Sequence, residues 1–146
     1  MTILLIFCLL LGACSRNLQS QGKVDEAVEL WNSHIYDGPN DFDETFRTLS
    51  KKEVEMWIKE LYKVNTAAPF EEIDANPYLS DDIRIEKKDD VGAFFEEMWM
   101  TNALSVKLFG ESMNRLTEEE GILVGQEYEK LKREGKLEAE LGKPPF

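Results

Sequence analysis

Two Ser/Thr-x-x-Glu motifs stand directly before apolar stripes of helical period, and they constrain the fold of this chain more than any other feature. Ser50 and Glu53 form the first motif, and Thr117 and Glu120 form the second. In such a capping box the two side chains accept backbone N–H groups that the first turn of a helix leaves free. The stripes that follow consist of Val54, Trp57, Ile58, Leu61 and Tyr62, and of Leu123, Val124, Tyr128 and Leu131. We therefore predict an amphipathic helix after each motif.

The same period predicts further helices along the chain. Apolar residues recur at helical spacing over about 23–35, 42–49, 91–109 and 137–141. We expect Asn40 or Asp41 to cap the second helix, because short polar side chains at this position accept N–H groups of the first turn. Asp90 is expected to cap the helix over 91–109 for the same reason, and Gly110 is expected to end it.

The predicted fold is mainly α, a small bundle of about five or six helices. Ile83 and Ile85 alternate with charged residues, and this pattern also fits one short strand near 82–86. The larger aromatic residues fall on the helical stripes and are expected to lie in the core: Trp31, Trp57, Phe94, Phe95 and Trp99.

The amino-terminal segment joins an apolar run to a short motif that ends in cysteine. Residues 3–11 are nine consecutive apolar residues, too few for a membrane-spanning helix of about 20 residues but suited to the core of a signal peptide. The tetrapeptide Leu11-Gly12-Ala13-Cys14 resembles the lipobox of bacterial lipoproteins. The resemblance implies that the Ala13–Cys14 bond is cleaved and that the Cys14 sulfur receives a diacylglyceryl group. The new amino group can be acylated as well, and two or three acyl chains anchor a protein stably.

This interpretation also divides the chain and predicts its location. The parts are a signal peptide over 1–13, a lipidated polar tether over 14–22 and a single acidic helical domain over 23–146. Cys8 leaves with the signal peptide and Cys14 carries lipid, so the mature protein has no thiol for a disulfide. We expect it at the periplasmic face of a bacterial membrane, and Ser15 favours the outer membrane if the cell is Gram-negative.

The acidic surplus restricts the partners of the chain. Its 29 acidic and 17 basic residues give a net charge of −12. Nucleic-acid phosphates repel such a chain, so we expect no nucleic-acid partner. We expect two partners instead: the membrane, through the lipid on Cys14, and another protein of the cell envelope. The acidic surplus either only keeps the domain soluble or complements a basic partner protein.

Few residues suit metal binding or catalysis. His34 is the single histidine and both cysteines are assigned above, which excludes a zinc site of the Cys/His type. A Ser–His–acid triad would have to use His34, and the acidic stretches starting at Asp37 and Asp74 do not fit the calcium loop of an EF-hand. We predict no catalytic residue, no metal ligand and no cofactor.

Two stretches resemble known families. Residues 22–31 are similar to the second helix of a tetratricopeptide repeat. Together with 37–38 and 42–50, they also resemble the opening of cone-shaped domains similar to nuclear transport factor 2, which implies long strands and a pocket for a ligand or substrate.

The leading hypothesis is a membrane-anchored lipoprotein that acts as a non-catalytic binding or accessory protein in the cell envelope. One alternative is a periplasmic inhibitor or immunity protein that blocks a basic toxin or hydrolase. Another is a ligand-binding or enzymatic domain of the kind that nuclear transport factor 2 represents.

Overall fold

A computed structural model of the chain describes residues 17–33, 40–67 and 88–146. Within these ranges the chain forms six α-helices, one 3-10 turn and no strand. The helices are α1 (17–33), α2 (Phe42–Thr48), α3 (Lys51–Ala67), α4 (Lys88–Phe109), α5 (Glu118–Arg133) and α6 (Leu137–Leu141), and the 3-10 turn is Met113–Arg115. The prediction of a mainly helical bundle is confirmed. The strand predicted near 82–86 and the predicted signal peptide over 1–13 lie outside the described residues.

Both capping boxes form as predicted. The Ser50 backbone N–H donates to Glu53 Oε2 at 2.8 Å, and the Glu53 backbone N–H donates to Ser50 Oγ at 3.3 Å. At α5 the Thr117 backbone N–H donates to Glu120 Oε2 at 2.8 Å, and the Glu120 backbone N–H donates to Thr117 Oγ1 at 3.3 Å. These reciprocal bonds satisfy free donors of the first turn and so fix where α3 and α5 begin.

Asn40, and not Asp41, supplies the side-chain acceptor at the start of α2. Asn40 Oδ1 accepts the Phe42 backbone N–H at 2.9 Å, whereas the Asp41 side chain makes no capping hydrogen bond. The Asn40 amide also donates to the Leu30 carbonyl oxygen at 2.7 Å. One side chain therefore starts α2 and ties it to α1.

Two helices reach further toward the amino terminus than predicted. α1 includes 17–22, which we had assigned to the tether before a helix over about 23–35. Apart from Leu18 and Gly22 these residues are polar, and polarity alone does not distinguish a tether from an exposed helical turn. α4 starts at Lys88, so Asp90 lies in its first turn and is not its cap. An acidic side chain in the first turn interacts favourably with the helix dipole, and so does an acidic cap. The sequence pattern alone therefore does not distinguish the two positions.

Glycines in the left-handed region end α4 and α5. Gly110 follows α4 with φ 73°, as predicted, and its N–H donates to the Val106 carbonyl at 2.9 Å. After α5, Gly135 has φ 66° and donates to the Lys132 carbonyl at 3.1 Å, while the Lys136 N–H donates to the Leu131 carbonyl at 2.9 Å. This pair of bonds is a Schellman motif, which satisfies carbonyl groups that the last turn leaves free.

α4 is the central element, because it packs against α3, α5, α6 and the 3-10 turn. One apolar cluster joins α1, α3 and the first half of α4, with Val24, Ala27, Trp31, Leu49, Val54, Trp57, Ile58, Leu61, Val91 and Phe95 buried. The Trp57 ring lies at its centre, with ring centroids 4.6 Å from Phe46 and 6.3 Å from Trp31. Phe94 and Trp99 are partly buried against the same cluster, so the aromatic residues lie in the core as predicted.

A second apolar cluster joins α5 to the second half of α4. Leu104, Val124, Tyr128 and Leu131 are buried there, and Leu137 and Leu141 of α6 pack against them. Leu123, which we predicted to face the core, is 52% exposed. Its inward assignment was wrong because Val124, the next residue, takes the buried position of that turn.

Candidate functional site

The two residues predicted for signal cleavage and lipidation, Ala13 and Cys14, lie outside the described residues. The first described residue is Asn17, at the amino end of α1 and three residues after Cys14. The surroundings of Asn17 are therefore the described surface nearest to the predicted lipid.

The amino ends of α1 and α3 meet at an open groove of about 310 Å³. Its lining consists of Asn17, Ser20, Gln21, Ser50, Lys52, Glu53 and Met56. Glu53 is 7% exposed and belongs to the α3 capping box. Polar side chains of 17–22 thus lie against the amino end of α3.

Hydrogen bonds set the protonation state of Glu53. Burial raises the pKa of Glu53, but hydrogen bonds from the Ser50 backbone, Ser20 and the Ser50 hydroxyl, with the charge of Lys23, lower it, and the net effect is a lowered pKa. The group is a carboxylate at neutral pH. It is suited to holding the ends of α1 and α3 together, and not to donating a proton.

A second groove, of about 560 Å³, lies between α2 and the 3-10 turn. Arg47 and Arg115 line it together with Asp43. Asn114 also lines this groove and joins its two sides, because its amide donates to the Phe46 carbonyl at 2.7 Å and to the Leu49 carbonyl at 2.9 Å. We did not predict this groove, since the bonds of Asn114 join residues more than 60 positions apart in sequence.

The outer face of α5 exposes two large apolar side chains side by side. Ile122 is 54% exposed and Leu123 is 52% exposed. Glu118, Glu119 and Glu129 are exposed on the same helix. An apolar centre with a charged rim is typical of a surface that binds another protein. The signal in the sequence was the Ile122-Leu123-Val124 run, because one helical turn cannot bury three consecutive side chains on one face.

Ion pairs line the groove where α4, α5 and α6 meet. Lys107 pairs with Glu140 at 2.5 Å, and Lys130 pairs with Glu127 at 2.9 Å. The hydrogen bond and charge of Lys107 lower the pKa of Glu140. In the second apolar cluster, burial together with the charges of Glu97 and Glu129 raises the pKa of Tyr128 to about 12, so its hydroxyl stays protonated. The charged groups of Lys107, Glu140, Lys130 and Glu127 are thus paired with each other within the protein.

Neither a metal cluster nor a membrane-spanning helix is found in the part of the chain that the structure describes. No three His, Cys, Asp or Glu residues are grouped there to hold a metal ion. None of the helices over 17–33, 40–67 and 88–146 is long and apolar enough to cross a membrane.

The resemblance to nuclear transport factor 2 implies long strands after the opening helices. From residue 88 onward the described chain forms helices instead, as the predicted bundle requires. Comparison with known proteins gives no family for this chain: no protein family, no curated protein and no solved structure matches it.

Proposed function

We propose that this protein is a membrane-anchored lipoprotein of the bacterial cell envelope that binds another envelope protein without catalysing a reaction. The Leu11-Gly12-Ala13-Cys14 motif supports the anchor. The outer face of α5 supports the binding role, and it is the observation that carries the proposal.

Contact geometry favours a protein partner at α5. Ile122 and Leu123 offer adjacent apolar surface that the rest of the domain leaves exposed. Gly121 and Gly125 lie beside them, and a Cβ added at either position would meet no atom within 4 Å. A partner can therefore approach this face closely and remove both apolar side chains from water, which is favourable by about 25 cal/mol for each Å².

Charge indicates the kind of partner. Glu118, Glu119 and Glu129 are exposed around the apolar pair, and the chain as a whole carries −12. A partner with basic residues around an apolar centre complements this surface, and long-range attraction would speed its association. Such a complex weakens as salt screens the charges.

Intact mass tests the anchor. Protein extracted from membranes is expected to lack residues 1–13 and to carry acyl chains on Cys14. Cys14→Ala is expected to abolish both changes, because the cysteine sulfur is the atom that forms the thioether to the diacylglyceryl group. A wild-type chain that is neither cleaved nor acylated would contradict the anchor.

Site-specific cross-linking tests the binding face. A photoreactive residue at the exposed Gln126 position of α5 is expected to capture one basic envelope protein, and less of it at higher salt. Ile122→Glu should abolish the capture, because it places a charge in the apolar centre. Val64→Glu is the matched control, since Val64 is 45% exposed on α3, a different helix.

Capture that survives Ile122→Glu, or that both variants abolish, would contradict a binding role for α5. The captured protein also separates the two non-catalytic functions. If it is a toxin or hydrolase that the purified domain inhibits, the protein is an inhibitor or immunity protein. If its activity is unaffected, the protein is an accessory protein.

A further inference from the structure

The helical state of 17–22 limits how far the domain can lie from its lipid. Asn17 is three residues after Cys14, and three residues span at most about 10 Å even when fully extended. The tether that we predicted over 14–22 would have reached about three times as far. With the lipid of Cys14 in the bilayer, the amino end of α1 must therefore lie close to the membrane surface.

The amino end of α1 is part of the packed domain. Ser20 hydrogen-bonds to the buried carboxylate of Glu53, and Val24, one turn later, is fully buried. Asn17 and Lys52 line the same groove. A lipid that holds Asn17 close to the membrane therefore also holds α3 and the first apolar cluster close to it.

The chemistry of this end suits a bilayer surface. Leu18 is 74% exposed, the largest exposure among the large apolar side chains of the described residues. Lys51 and Lys52 are exposed at the start of α3. Lys51 already donates to the Gly110 carbonyl oxygen at 2.6 Å, so Lys52 is the cation better placed to meet lipid phosphates.

The other end of α1 has the opposite character. Asp25, Glu26 and Glu29 are exposed along its second half. Glu29 lies twelve residues after Asn17, which is about 18 Å along the helix axis. Anionic headgroups repel these carboxylates, so α1 is not expected to lie flat on the membrane.

We propose that the anchored protein stands on the bilayer on the amino ends of α1 and α3. Leu18 enters the headgroup region, Lys52 faces the phosphates of anionic lipids, and Asp25, Glu26 and Glu29 point away from the membrane. This orientation rests on the lipid anchor proposed above.

Fluorescent probes of membrane distance test the orientation. The mature chain carries a single cysteine, Cys14, and lipid occupies its sulfur, so one introduced cysteine gives one labelled position. Thr48→Cys places a probe two residues from the Ser50 end of the groove, and Glu29→Cys places one on the acidic half of α1; both positions are exposed. The full lipidated chain is reconstituted in vesicles of phosphatidylethanolamine and anionic phosphatidylglycerol that carry a short-range quencher on the headgroup.

We expect strong quenching at position 48 and weak quenching at position 29. Leu18→Ser combined with Lys52→Glu should reduce the quenching at position 48. Val64→Ser combined with Lys63→Glu is the matched control and should leave it unchanged, because it alters an exposed apolar side chain and an exposed lysine near the opposite end of α3.

Equal quenching at the two positions, or an unchanged value in the Leu18→Ser, Lys52→Glu variant, would overturn the orientation. The intact mass of each sample is measured beforehand. A lipidated chain with equal quenching overturns the orientation alone, whereas a chain without lipid overturns both the anchor and the orientation.

Discussion

Glu53 shows how one carboxylate can begin one helix and join it to another. Its oxygens accept hydrogen bonds from the Ser50 backbone N–H and from the side chain of Ser20, which line the groove between α1 and α3. Those bonds favour the charged form over the protonated one, and they account for the lowered pKa.

The lowered pKa of Glu53 predicts a pH dependence of stability. Because the pKa in the folded state lies below the ordinary value of 4.5, the charged carboxylate stabilises the fold above that value, and the contribution is lost as pH falls through the folded pKa. Glu53→Gln keeps an acceptor but not the charge. In urea unfolding the wild type should therefore be more stable than Glu53→Gln at neutral pH, and the difference should shrink below pH 4.5.

Glu53→Ala should lower the free energy of unfolding by about 1–2 kcal/mol, because it leaves the Ser50 N–H without its partner. Glu55→Gln, two residues along the same helix, is the control and should change little. If the difference between wild type and Glu53→Gln stayed constant from neutral pH to pH 3, the lowered pKa would be wrong.

At the scale of helices and turns, local chemistry could be predicted and long-range contacts could not. The starts of α3 and α5 and the end of α4 follow from capping boxes and from Gly110, which act over a few residues. The helical state of 17–22 could not be predicted, since Ser20 is held by Glu53, 33 residues away. The exposure of Leu123 likewise depends on how α5 rotates against α4, which the stripe alone does not fix.

The same distinction applies to the candidate site. The lipidation site at Cys14 stays a prediction, and it follows from the motif alone because that motif consists of four adjacent residues. The α5 face and the end carrying Leu18 needed the structure, because exposure depends on which neighbouring helices cover a residue.

Glycines on α5 predict opposite effects of the same substitution. Gly121 and Gly125 lie within the helix, and an added Cβ meets nothing within 4 Å. Alanine at either position should raise the free energy of unfolding by about 0.5–1 kcal/mol, since glycine loses more backbone freedom on folding. Gly135→Ala also meets no atom, but at φ 66° it should be destabilising by about 1 kcal/mol. Chemical unfolding of the three variants checks the contrast, and the same sign at positions 125 and 135 would contradict it.

At the scale of the whole molecule, the acidic surplus acts on both stability and binding. The predicted signal peptide contains no charged side chain, so the mature protein would keep the net charge of −12. Self-repulsion of this charge destabilises the folded state. The ion pairs that oppose it, such as Lys107–Glu140 and Lys130–Glu127, are between exposed side chains and contribute little.

Salt is therefore expected to stabilise the free domain and to weaken its complex. At 0.1 M the Debye length is about 10 Å, short enough to screen repulsion across the domain. The thermal midpoint of the free protein should rise between low salt and 0.1 M sodium chloride. Salt weakens both the self-repulsion of the net charge and the attraction within the exposed ion pairs, and we expect the weaker repulsion to have the larger effect on stability. The cross-link from position 126 should decline over the same range, because attraction to the proposed basic partner is screened too. A midpoint that fell with salt would show that the ion pairs outweigh the self-repulsion and would contradict the prediction.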